Sequence, residues 1–104
     1  LKVGGENVAA AEIESYLSKH PAVAAVQVVG VPDAKLLEVA AAFVELNPGT
    51  QCSEDELIHF CDDKIASFKV PRYIRFIEEW PMSSTKIQKY KLRDELLDEL
   101  ASNK

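Results

Sequence analysis

Residues 23–31 form an almost unbroken run of apolar side chains, most of them β-branched. Pro21 precedes the run, and the turn-forming sequence Pro32-Asp33-Ala34 follows it. β-branched residues favour extended backbone, and a strand without polar alternation is typical of one that is buried on both faces. We therefore predict a central strand here. Such a strand constrains the fold, because other segments must cover it.

Three other stretches have the three- and four-residue apolar spacing of amphipathic helices, namely 9–19, 54–66 and 89–100. In the first, Glu12 and Glu14 are predicted to point outward, and Ser53 with Glu56 forms a capping box that opens the second. Two further strands are predicted at 38–46 and 73–77, although the alanines at 40–42 leave a helix possible in the former. The order predicts an α+β fold, a small mostly antiparallel sheet with about three helices packed on it.

The composition fits one globular domain, with 104 residues, 47% hydrophobic and 28% charged. No apolar run is long enough to span a membrane, and no secretory leader pattern is present, so we expect a soluble, cytoplasmic protein. The chain begins at Leu1 and its only methionine is Met82. We therefore expect it to be a piece of a longer polypeptide.

The cysteines and histidines do not follow a known site pattern. Cys52 and Cys61 cannot form a disulfide framework, and His20 and His59 lack zinc-finger spacing, so no metal site is predicted. Cys61 falls on the apolar face of the second predicted helix. It is therefore predicted to be a buried, unreactive thiol.

Charge is unevenly distributed along the sequence. Residues 64–93 contain eight basic and two acidic side chains, a net charge of +6, whereas the remainder has four basic and fifteen acidic ones, a net charge of −11. A local basic segment on an acidic protein indicates an anionic partner, or else a solvated face without a ligand. Nucleic acid is disfavoured, because the acidic remainder would repel phosphate.

The segment 81–89 joins a predicted strand to the last helix through small polar residues and presents Lys86. A lysine on such a loop is a compact cation suited to negative charge that develops on a phosphoryl or carboxylate oxygen, although most loop lysines are simply solvated. The sequence holds no recognisable nucleophile motif, so a self-contained enzyme is disfavoured.

Several short motifs, taken in their order along the chain, resemble the C-terminal domain of the adenylate-forming (AMP-binding) enzymes, and most of all the acyl-CoA synthetases. They are Gly4-Gly5-Glu6-Asn7-Val8, Glu12-Ile13-Glu14, His20-Pro21-Ala22-Val23, Val29-Gly30-Val31-Pro32-Asp33, Phe68-Lys69-Val70-Pro71 and Thr85-Lys86-Ile87-Gln88-Lys89. The resemblance implies that residues 1–104 are one small mobile lid. It also implies a larger N-terminal domain of the same polypeptide, which would hold the ATP and carboxylic acid sites.

The resemblance also implies roles for individual residues. Lys86 takes the place of the lysine that enters the active site while acyl-adenylate forms. Gly4, Gly5 and Glu6 match a loop that lines the CoA channel after the lid rotates, and Lys69 matches a basic residue near the nucleotide end of CoA. ATP and CoA are expected as substrates, with Mg²⁺ in the N-terminal domain and no metal on this chain.

The sequence departs from the family pattern at two places. The family usually has a glycine directly before the catalytic lysine, whereas here one residue fewer separates Pro81 from Lys86, and Lys89 is the alternative lysine. The family also has a glycine before Glu38, where this chain has Leu37. Two other functions stay open: an adenylation domain that loads a carrier protein, and a non-catalytic interaction domain of the same fold.

Overall fold

The computed structural model describes residues 2–3, 6–35, 37–62, 64–65, 69–83 and 86–102. The helices are α1 (Ala10–Leu17), α2 (Glu54–Cys61) and α3 (Lys89–Ser102). The strands are β1 (Lys2–Val3), β2 (Glu6–Asn7), β3 (Val23–Asp33), β4 (Leu37–Leu46), β5 (Tyr73–Phe76), β6 (Met82–Ser83) and β7 (Lys86–Ile87). Among these, no helix is long and apolar enough to cross a membrane.

Strand β4 lies at the centre of the main sheet. It pairs antiparallel with β3 from Asp33↔Leu37 to Val23↔Leu46, and its other edge pairs antiparallel with β1 and parallel with β5. The two-residue strand β2 extends the sheet beyond β1, whereas β6 and β7 form a separate antiparallel hairpin. The α+β prediction is confirmed, and the parallel β4–β5 pair makes the sheet mixed.

Two apolar clusters cover the two faces of this sheet. Even-numbered residues of β4 face α1 and α2, and odd-numbered residues face α3, as expected from the two-residue period of a strand. The first cluster includes Ile13, Leu17, Val28, Ala42, Val44, Leu57 and Ile74. The second includes Val29, Val31, Ala41, Phe43, Leu92 and Leu96. The stretch 40–42 is therefore strand and not helix, and both β3 and β4 are buried on both faces.

The predicted strand at residues 23–31, buried on both faces, is confirmed, but its predicted central position is wrong, because β3 lies at the edge of the described sheet. Its outer edge is covered by side chains instead of another strand. Glu14 accepts from the Val28 amide at 2.8 Å, and Lys89 and Arg93 donate to the carbonyls of Val28 and Gly30. These bonds satisfy edge groups that would otherwise invite pairing with another chain. Glu14 therefore packs against the sheet and does not point outward.

Helix α2 confirms its predicted start but ends earlier than predicted. The Ser53 hydroxyl accepts from the Glu56 amide at 3.1 Å, which caps the first turn. The helix ends at Cys61 because Asp62 has extended backbone, with ψ at 133°. Cys61 is 0% exposed, and burial raises the pKa of its thiol to about 11. The predicted unreactive thiol agrees with this environment.

Leu37 has a left-handed backbone, with φ at 68°, and its side chain is 72% exposed. Left-handed backbone costs a non-glycine residue roughly 1–2 kcal/mol, because its Cβ crowds the following carbonyl. Leu37 also pairs with Val3 of β1 and Asp33 of β3, so the sheet fixes this conformation. A glycine at this position, as in the family pattern, would adopt the left-handed backbone without this cost, whereas the backbone of Leu37 is strained.

Replacing Leu37 with glycine should relieve that strain. We expect Leu37→Gly to raise the free energy of unfolding by up to about 1 kcal/mol, since the gain is partly offset by glycine's larger chain entropy. Leu37→Ala is the matched control, because it removes the exposed side chain but keeps the Cβ. Urea unfolding of the three proteins measures the difference. A gain for alanine equal to that for glycine would show that strain is not the cause.

Arg75 on β5 connects helices from opposite faces of the sheet. Its guanidinium binds Glu99 of α3, with Nε to Oε2 at 2.9 Å, and Glu54 of α2 at 3.2 Å. The hydrogen bond from Arg75 lowers the pKa of the Glu99 carboxyl below its ordinary value of 4.5. A lowered pKa in the folded state stabilises the fold above the ordinary value, and this stabilisation is lost as the pH falls through the folded-state pKa.

Glu99→Gln should therefore destabilise the chain at pH 7 and not at pH 3. The side chain of Glu99 is 42% exposed, so solvent screening limits the loss at pH 7 to less than about 1 kcal/mol. Urea midpoints of wild type and variant should converge on acidification. Glu95→Gln removes a charge from the same helix without removing this pair. An equal response of both variants would assign the effect to net charge.

Candidate functional site

Lys86 lies in β7 of the small hairpin that precedes α3. Met82 pairs with Ile87 and Ser83 pairs with Lys86, whereas residues 84 and 85 between the strands lie outside the described residues. The Gln88 amide donates to the Pro81 carbonyl at 2.7 Å and closes the base of the hairpin. Lys86 is exposed, and its side chain makes no hydrogen bond or ion pair with any described residue. Its ammonium is therefore available to an external anion.

The segments on both sides of the hairpin are anchored to the main sheet. Trp80 precedes the hairpin and donates from Nε1 to Glu45 Oε1 at 2.7 Å. Ile87 packs against the apolar cluster beneath α3. The hairpin therefore presents an exposed cation on a base fixed by packing and hydrogen bonds.

Lys89, the alternative lysine, has a different environment. Its ammonium donates to Glu14 Oε2 at 2.7 Å and to the Val28 carbonyl at 3.1 Å. Delivering Lys89 to a substrate would break both bonds and expose the edge of β3. Of the two lysines, Lys86 is thus the one whose ammonium has no bond to a described residue.

The basic segment 64–93 does not form a continuous cationic surface. Half of its basic side chains make contacts within the chain, either with acidic residues elsewhere or with backbone carbonyls; these are Lys69, Arg75, Lys89 and Arg93. Others are exposed, namely Lys64, Arg72, Lys86 and Lys91. Three of the eight basic side chains are thus paired with carboxylates elsewhere in the chain, and a fourth, Arg93, is bonded to a backbone carbonyl.

The residues predicted to contact CoA are only partly described. Lys69 donates from Nζ to Glu12 Oε1 of α1 at 2.8 Å. Glu6 lies in β2, opposite Val3, and nothing is described of its side chain. Gly4 and Gly5 lie outside the described residues. Of these four, Lys69 alone has a described side-chain environment, and its cation has a carboxylate partner that a bound phosphate would have to replace.

A pocket of about 430 Å³ beside the β3–β4 turn was missed by sequence reasoning. It is lined by Asp33, Ala34, Lys35 and Arg72. The Arg72 amide donates to the Ala40 carbonyl at 2.9 Å, which places Arg72 next to the turn although it is distant in sequence. Two exposed cations at one pocket could hold a phosphate. The available signal was the position of Arg72 directly after the Lys69-Val70-Pro71 motif.

His20, Cys52 and Glu56 are close enough to share a cation, with their ligand atoms within 4.8 Å of one another. The Ala22 amide donates to His20 Nδ1 at 3.1 Å, which assigns the imidazole proton to Nε2. That nitrogen lies 3.2 Å from Glu56 Oε2. Burial and the neighbouring Glu56 raise the pKa of the Cys52 thiol to about 11. The His20 imidazole and the Cys52 thiol thus both carry protons that a metal would have to displace. The arrangement is best described as a hydrogen-bonded contact beside α2.

Comparison with known proteins identifies the domain. Residues 12–89 match the family model of the AMP-binding enzyme C-terminal domain. The chain is 53% identical over 96 residues to YngI of Bacillus subtilis (strain 168), a protein assigned to the acyl-CoA synthetases, covering 91% of this chain and 18% of YngI. It is 47% identical to the mitochondrial medium-chain acyl-CoA ligase ACSF2 of Danio rerio, covering 88% of this chain and 15% of that protein.

A solved structure agrees with these matches. The crystal structure of apo MatB from Rhodopseudomonas palustris superimposes with a TM-score of 0.85 at 34% identity, over 91% of this chain and 19% of that chain. The present chain thus spans less than a fifth of each of these relatives. Its sequence and fold agree on one assignment: the chain belongs to the AMP-binding enzyme C-terminal domain family and is homologous to the acyl-CoA synthetases.

Proposed function

We propose that this chain is the lid domain of an ATP-dependent acyl-CoA synthetase. The reaction joins a carboxylate to ATP, giving acyl-AMP and pyrophosphate, and then transfers the acyl group to the CoA thiol with release of AMP. The observation that carries the proposal is the contrast between two lysines of one motif. Lys86 is exposed on an anchored hairpin, whereas Lys89 is held by Glu14 and Val28.

Lys86 would act in the first half-reaction. As the carboxylate attacks the α-phosphorus, negative charge accumulates on the α-phosphate oxygens and on the bridging oxygen that leaves with pyrophosphate. An ammonium placed there stabilises this charge more in the transition state than in the ground state. ATP, the acid and Mg²⁺ would bind the N-terminal domain, which we propose precedes residues 1–104. The isolated chain should then be inactive, and its cytoplasmic location stays a prediction from sequence.

The second half-reaction would use residues near the start of the chain together with Lys69. Gly4, Gly5 and Glu6 would line the channel for the pantetheine arm. The two glycines have no Cβ atom, so the arm can approach the backbone closely there. Lys69 would meet a phosphate at the nucleotide end of CoA by exchanging its bond to Glu12. Lys35 and Arg72, at the pocket beside the β3–β4 turn, add positive charge for the same anion.

Two alternatives are separated by simple assays. A carrier-loading adenylation domain would acylate a pantetheinylated carrier protein and leave free CoA unchanged. A non-catalytic domain of the same fold is motivated by the missing glycine before Lys86, and it predicts that Lys86 has no effect on any activity. A full-length gene without an upstream adenylate-binding domain would contradict the synthetase proposal.

Lys86→Ala should slow the first half-reaction selectively. In the full-length protein, we expect pyrophosphate release to fall by a factor of hundreds, corresponding to about 3–4 kcal/mol of lost transition-state stabilisation. Thioester formation from preformed acyl-AMP and CoA should persist. The acid used in this assay is whichever of acetate, malonate, octanoate, palmitate and benzoate the wild type activates fastest.

Lys91→Ala is the matched control for this experiment, because it removes an exposed lysine from α3, which follows the hairpin. It should leave both half-reactions unchanged. Survival of both half-reactions in Lys86→Ala would contradict the proposal and favour the non-catalytic alternative.

Lys69→Met should affect the second half-reaction alone. We expect KM for CoA to rise about five- to tenfold, the size of one charge-assisted contact with phosphate. Pyrophosphate release should stay at the wild-type rate. The ratio of the variant's KM to the wild-type KM is also measured with dephospho-CoA. If this ratio is the same as with CoA, Lys69 meets a phosphate other than the one that dephospho-CoA lacks. An equal loss in both half-reactions would show that Lys69 supports the fold through Glu12.

A further inference from the structure

The backbone of one residue of the edge strand β3, Val28, joins three elements. The Val28 amide donates to Glu14 Oε2 of α1 at 2.8 Å, and the Val28 carbonyl accepts from Lys89 Nζ of α3 at 3.1 Å. The same Glu14 oxygen accepts from Lys89 at 2.7 Å. We call this set of contacts the Glu14–Val28–Lys89 joint. A single carboxylate therefore fixes both the outer edge of β3 and the first residue of α3.

The joint lies at the base of the hairpin that presents Lys86. Lys89 follows Lys86 by three positions, and the Gln88 amide between them is bonded to Pro81 on the other side of the hairpin. The ion pair is partly shielded from solvent, with the Glu14 side chain 21% exposed and that of Lys89 41% exposed. The position of this ion pair against the sheet therefore fixes the position of the base of the hairpin.

The shortened loop makes the position of Lys86 more dependent on this anchoring. One residue fewer separates Pro81 from Lys86 than in the family pattern, and a single residue, Gln88, separates β7, which carries Lys86, from the start of α3 at Lys89. A displacement of the α3 start is therefore transmitted to the Lys86 ammonium. Misplacement of a reacting group by about 1 Å costs up to about 100-fold in rate.

We propose that Glu14 is a positioning residue for adenylation: its carboxylate holds Lys89 and the β3 edge so that the shortened hairpin delivers Lys86 to the reacting phosphate. This inference rests on the proposed function, since it gives Glu14 an effect through Lys86. Glu14 itself touches no substrate. Its influence should therefore appear in the rate of the first half-reaction and not in substrate binding.

The test compares Glu14→Gln and Lys89→Met in the full-length protein, using the acid chosen for Lys86→Ala. Pyrophosphate release should fall about 10- to 100-fold in kcat with KM for acid and ATP unchanged. Thioester formation from preformed acyl-AMP should stay near wild type, which also shows that the variants fold. Lys89→Arg should recover most of the rate, because its guanidinium can donate to both Glu14 and Val28.

Glu99→Gln is the matched control, because it breaks the ion pair between α3 and Arg75, near the far end of that helix from the hairpin. It should leave both half-reactions unchanged. Equal loss in both half-reactions of Glu14→Gln, or an unchanged pyrophosphate release, would overturn the positioning role.

A double variant separates this inference from the proposed function. If Glu14 acts through Lys86, adding Glu14→Gln to Lys86→Ala should cause no further loss of pyrophosphate release. Additive losses would overturn the inference while leaving the lid function in place. A full rate for Lys86→Ala alone would instead contradict the proposed function.

Discussion

The burial of β4 on both faces is the constraint on which the rest of the structure depends. Its alternate side chains belong to two separate apolar clusters, so α1 and α2 must lie on one face and α3 on the other. With both edges of β4 occupied by β3 and by β1 and β5, the outer edge of β3 remains to be covered. Side chains from α1 and α3 cover it. The start of α3, and with it the Lys86 hairpin, is thereby fixed relative to the sheet.

Pairing of opposite charges explains why the basic segment does not form a continuous cationic surface. The segment 64–93 has a surplus of positive charge, but Lys69, Arg75 and Lys89 bind carboxylates on α1, α2 or α3. Such pairs contribute modestly to stability when exposed. They also hold Lys69, Arg75 and Lys89 in place, whereas Lys64, Arg72, Lys86 and Lys91 stay exposed.

Local patterns in the sequence predicted the three helices and the longer strands β3, β4 and β5, but missed the two-residue strands β1, β2, β6 and β7. The apolar spacing located the three helices, the Ser53 capping box located the start of α2, and the apolar position of Cys61 agreed with its burial. Prediction was wrong where a distant partner decides the outcome. The apolar run at 23–31 could not show which of its edges is paired, and Glu14 contacts Lys89 across 75 positions of sequence. For the same reason, the sequence could not show that Lys89, the alternative lysine, is bonded to Glu14 and Val28.

The most direct measurement restores the ammonium chemically. Lys86→Cys in the full-length protein, treated with 2-bromoethylamine, regains a side chain that ends in an ammonium at nearly the length of lysine. The raised thiol pKa of Cys52 and Cys61 slows their reaction with the reagent, and wild type treated in parallel is the control. Single-turnover formation of acyl-AMP should be lost in the untreated variant and largely recovered after treatment. A wild-type rate in the untreated variant would contradict a catalytic role for Lys86.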